Sequence, residues 1–262
     1  MRVPGSYADI VPRVISGAVL AVLGLAAIAL GGWWFRAVVG VLTAAMAWEL
    51  GRMLAPVLSP RLLPVAAAAT GALVVGASTV DPLPALVLLA VPPLLVLTLP
   101  AEHRLPVAGY LAVVMLGAHG MLTLREGFGM LWLVWLVLVV IGSDVAGYFV
   151  GRALGGPKLW PRVSPKKTWS GTLAGWAVAL VLGLAFLLPL GQGAGLLVLS
   201  LAVCIAGQAG DIGESALKRR VGVKDSSQLI PGHGGVMDRF DAMLGAAVAF
   251  QLAAIAGLVA QG

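Results

Sequence analysis

The sequence predicts an all-α fold: a polytopic transmembrane helical bundle of about nine spans, with its N-terminus in the cytoplasm. Three observations carry that expectation. Hydrophobic residues make up 60 % of the 262 positions and charged ones only 11 %, against about 25 % charged in an average soluble domain, so lipid must be the solvent for most of the surface. The apolar residues fall in uncharged runs long enough to cross a bilayer core about 30 Å thick, which takes roughly 20 residues of helix. The basic residues, finally, gather in alternate connecting segments.

The first uncharged run, Val14 to Phe35, is long enough to span. It reaches Trp33-Trp34-Phe35, an aromatic group suited to a membrane interface, and lacks the small-residue cleavage site of a secretory leader. A shorter segment from about Ala37 to Gly51 follows, then Leu62 to Val80, Pro82 to Ala101 and Leu105 to Leu124. Gly127 to Ser143 is uncharged and ends at Asp144. Thr168 to Gly210 has twice the length of one span, and Pro189-Leu-Gly-Gln-Gly193 supplies a turn near its middle. Met243 to Gly262 is the ninth run. These segments are apolar all round rather than on one face, as helices surrounded by lipid should be. The one cysteine, Cys204, lies inside an apolar run, which excludes an internal disulfide or a cysteine-based metal site and leaves inert packing.

Nine spans with the N-terminus inside put fifteen of the 17 basic residues on the cytoplasmic side. The inner segments hold Arg2 and Arg13; Arg52 and Arg61; Arg104; Arg152, Lys158, Arg162, Lys166 and Lys167; and Lys218, Arg219, Arg220, Lys224 and Arg239. The outer ones hold Arg36 and Arg125. This is the bias that the positive-inside rule demands, and the opposite threading would invert it. The chain then divides into N-terminal transmembrane helices over 1–139 and a C-terminal transmembrane region over 140–262. The loops at about 151–168 and 216–242 are two spans apart, so both emerge on the cytoplasmic face and can share one site. The net charge of +6 suits an anionic partner; a basic inner face is equally normal for any membrane protein.

Acidic residues number 11, and five of them, Asp211, Glu214, Asp225, Asp238 and Asp241, fall close together. Ionisable groups at membrane depth are costly and usually mark a pathway or a site, although carboxylates and cations can also pair to solvate helix ends. On a helix, Asp211, Glu214, Ser215 and Lys218 share a face, Asp238 and Asp241 sit one turn apart, and Asp144, Tyr148 and Arg152 repeat at four-residue steps. Carboxylates without cysteine or paired histidine are hard oxygen ligands that suit Mg²⁺, a metal commonly held by one or two carboxylates plus substrate phosphates. Neighbouring Lys and Arg can cradle those phosphates, because phosphoryl transfer needs charge neutralisation and positioning. Gly232-His233-Gly234-Gly235 adds a turn in which backbone N–H groups can approach an anion, with His233 either a phosphate contact or proton shuttle, or a structural loop residue. Ser164-Pro-Lys-Lys-Thr-Trp-Ser-Gly171 offers Lys166, Lys167 and Thr168 either to a phosphate or, as a juxtamembrane basic patch, to anionic lipid. His103 and His119 have no polar company in the sequence and receive no role.

The 27 residues from Ser215-Ala-Leu-Lys-Arg through Lys224-Asp225 and Pro231-Gly-His-Gly-Gly to Asp238-Arg-Phe-Asp241 match the signature of phosphatidate cytidylyltransferases throughout. Ser143-Asp144-Val-Ala-Gly-Tyr148 and Gly151-Arg152 resemble that family's Asp-x-x-Ala-Tyr and Gly-Arg region, with small differences in spacing. The block 164–171 resembles its Ser-Pro-Lys-Lys-Thr-Trp-Glu-Gly, with Ser170 where glutamate is common. The resemblance covers roughly 140–245; before it only general hydrophobicity is shared.

The resemblance implies an integral membrane enzyme of phospholipid biosynthesis in the bacterial inner membrane, its active site facing the cytoplasm. It would convert CTP and phosphatidic acid to CDP-diacylglycerol and pyrophosphate with Mg²⁺, with a monovalent cation such as K⁺ as the candidate second ion of the centre. On this chain it implies Asp211 and Asp238 as metal-binding carboxylates, with Lys218 and His233 in the catalytic set. Asp144, Lys166, Lys167, Thr168, Ser215, Arg219, Lys224, Asp225, Arg239 and Asp241 are its substrate-binding candidates. A homodimer and no nucleic-acid partner complete the expectation. The chemistry would be in-line attack of a phosphatidate oxygen on the α-phosphorus of CTP. A phosphate monoester, with a second pKa of about 6, needs no strong base near neutrality. The rivals are a CTP-dependent lipid kinase, which would release CDP, and a transporter, whose usual internal repeats are not evident here.

Overall fold

The computed structural model describes residues 7–54 and 57–259, the side chains of 7–13 excepted. Arg2 and the side chain of Arg13, counted above on the inside, lie outside the described residues, as do residues 260–262 of the ninth run.

Nine α-helices run in chain order among the described residues: α1 (Tyr7–Leu30), α2 (Gly32–Arg52), α3 (Leu62–Ala77), α4 (Pro82–Leu97), α5 (Arg104–Thr123), α6 (Met130–Leu154), α7 (Trp169–Phe186), α8 (Gly195–Arg220) and α9 (Met237–Ile255). Each uncharged run of the sequence overlaps at least one of them, and Thr168 to Gly210 overlaps two, α7 and α8. The segments Arg104–Phe128, Met130–Leu154, Trp169–Phe186 and Gly195–Arg220 are long and apolar enough to cross a membrane; Val14–Leu30, Leu62–Ala77 and Pro82–Leu97 are shorter apolar helices. Large apolar side chains such as Leu83, Leu94, Val181 and Leu188 stand exposed on the exterior, an arrangement that suits lipid and not water.

The boundaries depart from the sequence reading in three places. Trp33-Trp34-Phe35 opens α2 instead of closing α1, because Gly31 and Gly32 take positive φ angles of 62° and 51° and break the helix between them. The Arg125 guanidinium occupies the place where a Gly31 side chain would project, and its Nε donates to the Ile28 carbonyl at 2.8 Å. Asp144 does not end its helix. α6 continues to Leu154, so Asp144, Tyr148 and Arg152 lie along one helical face, with Arg152 donating to the Tyr148 hydroxyl at 3.1 Å. The all-α expectation also misses a small antiparallel hairpin, β1 (Lys158–Trp160) paired with β2 (Ser164–Thr168) in the register Lys158↔Thr168 and Trp160↔Ser164. Pro165 disfavours helix in the residue before it and removes one N–H donor, and the hairpin satisfies the remaining backbone of this polar segment.

The interior is closed by edge-to-face and tilted aromatic packing and by small residues. Trp132, Trp135 and Phe250 meet with ring centroids 5.5–6.2 Å apart, and Phe128 joins them at 5.1 Å from Phe250. Two indoles find partners within the bundle: Trp135 Nε1 donates to Ser200 Oγ at 3.2 Å and Trp176 Nε1 to Gln208 Oε1 at 3.0 Å. His119, which had no polar company in the sequence, shares a hydrogen bond with Gln251 at 2.8 Å across α5 and α9. Gly117 and Gly120 let α5 lie against α9, where a Cβ on either would come within 2.9 Å of the α9 backbone.

Candidate active site

Asp211, Glu214, Ser215 and Lys218 occupy one face of the last turns of α8, which runs to Arg220 and so carries Lys218 and Arg219 on helix and not in a loop. Asp238 and Asp241 occupy the first turns of α9. The two acidic sets meet because glycines line the crossing. A Cβ on Gly210 would stand 2.5 Å from the Asp241 carbonyl oxygen, and one on Gly245 would overlap the carbonyl of Ala206. The consequence is a pocket of about 370 Å³ lined by Asp144, Asp211, Glu214, Lys218, Asp225, Asp238, Arg239 and Asp241.

Within it, carboxylate oxygens of Asp211, Glu214 and Asp241 lie within 4.8 Å of one another. Lys218 Nζ bridges Glu214 Oε2 at 2.6 Å and Asp238 Oδ1 at 2.5 Å. The other oxygen of Asp238 accepts three bonds, from Ser226 N at 3.1 Å, Ser226 Oγ at 2.9 Å and Gly235 N at 2.8 Å. Asp238 precedes the apolar run of α9. Burial opposes its ionisation, but the bonds from Lys218 and Gly235 outweigh it and hold its carboxyl below the usual carboxylate range. From the hairpin, Lys167 Nζ reaches Asp211 Oδ2 at 2.5 Å, and Ser215 Oγ donates to Asp211 Oδ1 at 3.4 Å.

Six carboxylates thus face the two cations that line the pocket, Lys218 and Arg239. Glu214 Oε1 and the Tyr110 hydroxyl are buried without a hydrogen-bond partner among the described residues. An acid-rich cavity of hard oxygen donors with an unspent buried carboxylate oxygen fits a metal ion.

The expected metal pair, Asp211 and Asp238, lines one pocket, yet the carboxylates that converge are those of Asp211, Glu214 and Asp241. Lys166, Arg219 and Lys224 are exposed and do not line it. Thr168 is buried and caps α7, its Oγ1 accepting from Gly171 N at 3.2 Å. His233 also stands apart from the lining: Ser16 of α1 bonds its Nδ1 at 2.8 Å. Two acidic residues were missing from the sequence-derived set. One is Glu214, which the spacing places on the α8 face without giving it a role. The other is Glu49 on α2, whose signal in the sequence is that of a lone carboxylate in an apolar run.

The profile of the cytidylyltransferase family matches residues 11–256. The chain belongs to that family. Curated relatives named phosphatidate cytidylyltransferase include one from Brucella suis biovar 1, 51 % identical over 129 residues that cover 48 % of each chain. One from Bacillus subtilis is 43 % identical over 123 residues, 45 % of each chain. One from Haemophilus influenzae is 46 % identical over 125 residues, 45 % of this chain and 43 % of the relative. The chain thus spans about half the length of the curated relatives it matches.

Proposed function

We propose that the chain is a phosphatidate cytidylyltransferase, transferring the cytidylyl group of CTP to phosphatidic acid and releasing pyrophosphate. The observation that carries this reading is the single pocket in which α8 and α9 combine clustered carboxylates with Lys218 and Arg239, in a chain of the cytidylyltransferase family. Asp211 belongs both to the expected pair with Asp238 and to the converging group with Glu214 and Asp241, so it is the first ligand we assign to Mg²⁺. Glu214 and Asp241 would supply further oxygens to that ion, and Asp238, at the same pocket, would serve it or a monovalent companion such as K⁺. When bound, the divalent ion neutralises phosphate charge and stabilises the pyrophosphate leaving group.

The residues of the chain do the rest. Lys218, steered by Glu214 and Asp238, presents its ammonium to a phosphate oxygen, and Arg239 adds a second cation at the wall. Lys167, paired with Asp211, couples the hairpin to the pocket; Lys166, Arg219 and Lys224 draw the anionic nucleotide and headgroup toward it. The substrate phosphate monoester is its own nucleophile, so no side chain has to remove a proton. The same reading has nine spans, an N-terminus in the cytoplasm, a catalytic region over 140–262 opening to the cytoplasm of a bacterial inner membrane, and a homodimer. The basic-residue bias supports that threading.

Incubation of the purified protein with phosphatidate and α-labelled CTP tests the reaction. Label in the lipid together with released pyrophosphate is the expected result. Release of CDP with unlabelled lipid would transfer the assignment to a CTP-dependent kinase.

A further inference from the structure

The turn that carries Asp238 is held from the far half of the chain. Glu49, near the end of α2, is fully buried. Its Oε1 accepts from Ser227 Oγ at 2.5 Å and from Val236 N at 2.8 Å, and its Oε2 accepts from Met237 N at 2.7 Å. No cation pairs with it among the described residues. Its charge is met by a hydroxyl and by the first N–H groups of α9, whose own N-cap residue, Val236, offers no side-chain cap. A helix N-terminus leaves such N–H groups unsatisfied and favours negative charge beside them. Glu49 therefore caps α9 in trans.

That cap is interleaved with Asp238. Along one turn, Ser226 and Gly235 bond Asp238 while Ser227, Val236 and Met237 bond Glu49. Gly235 lies between the two carboxylates: a Cβ there would overlap Ser226 Oγ and the Glu49 carboxylate. The last glycine of the Gly-His-Gly-Gly turn is thus required by Ser226 and Glu49.

We propose that Glu49 is a positioning residue of the active site. It fixes the 226–237 turn and the start of α9, so that Asp238 holds Lys218 against the pocket. This rests on the function proposed above, and the test separates the two. Glu49→Gln keeps the volume but points an amide N–H₂ at backbone N–H donors. In the purified variant, kcat for labelled-lipid formation falls roughly 10- to 100-fold, the range for partners that orient a metal site, while the KM for phosphatidate stays within about twofold. Its Mn²⁺ affinity, read by electron paramagnetic resonance with Mn²⁺ in place of Mg²⁺, weakens by about tenfold. A Gln variant with wild-type kcat per folded molecule and wild-type Mn²⁺ affinity overturns the proposal, whatever its folded yield. If the wild-type protein forms no labelled lipid, the function fails, and Mn²⁺ affinity alone then decides Glu49; a wild-type protein that also binds no Mn²⁺ removes the proposal. Should the Gln variant not fold, Glu49→Asp retracts the carboxylate by one carbon and carries the same expected directions.

Discussion

Replacing Asp238 by asparagine should give a folded protein without turnover, and the structure says why the two effects separate. Oδ2 of Asp238 accepts three donors, whereas Oδ1 chiefly receives Lys218. Asparagine can keep its oxygen toward Ser226 and Gly235 and turn its amide N–H₂ toward Lys218, which retains Glu214 as a partner at 2.6 Å. The loss is one charge-assisted hydrogen bond, about 1.5–3 kcal/mol. It falls short of the roughly 3–5 kcal/mol for stranding a buried charge, because Lys218 is never left alone. Turnover has no such substitute: a carboxylate charge leaves the pocket and Lys218 swings toward Glu214. Removing one preorganised electrostatic group typically costs roughly 10²- to 10³-fold in rate. Size-exclusion profiles in detergent and thermal unfolding report the first quantity, and labelled-lipid formation the second. A variant that unfolds outright would refute the hydrogen-bond reasoning; one with kcat within about threefold of the parent would refute the catalytic reasoning.

Gly210→Leu should push α9 from α8, since its first side-chain atom would meet the Asp241 carbonyl at 2.5 Å; we expect about 1–3 kcal/mol of destabilisation in thermal unfolding and loss of lipid labelling. Lys167→Met breaks a pair whose side chains are 25 % and 28 % exposed, so unfolding should shift by no more than about 1 kcal/mol, while the KM for CTP rises. Arg36→Ala removes the pair with Glu126 near the other end of α2, about 20 Å from Glu49 along the helix; stability should fall by up to about 1 kcal/mol with kcat unchanged. Chelation of divalent ions should abolish turnover and added Mg²⁺ should restore it, as followed by pyrophosphate release.

Helix positions and the polar signature were legible in the sequence because both depend on local chemistry. An uncharged run near 20 residues has few options in lipid other than a helix, and the spacing of Asp211, Glu214 and Lys218 defines a face wherever α8 packs. The Gly31-Gly32 break was harder to see. Two glycines in an apolar run permit a helix break without dictating one, and it is the tertiary structure that sets Arg125 where a Gly31 side chain would stand.

Taken alone, the residue order determined that the chain is helical and built for lipid, where its charges gather, and that the polar signature falls on α8 and the start of α9. Tertiary structure decided which carboxylates converge. Asp241 and Glu214 join Asp211 because Gly210 and Gly245 allow two backbones to touch, and Asp238 turns to Lys218 because Glu49 caps the helix on which it stands. Such contacts join residues as far apart as 49 and 237, and their distances are set by how whole helices pack, a quantity no local pattern encodes.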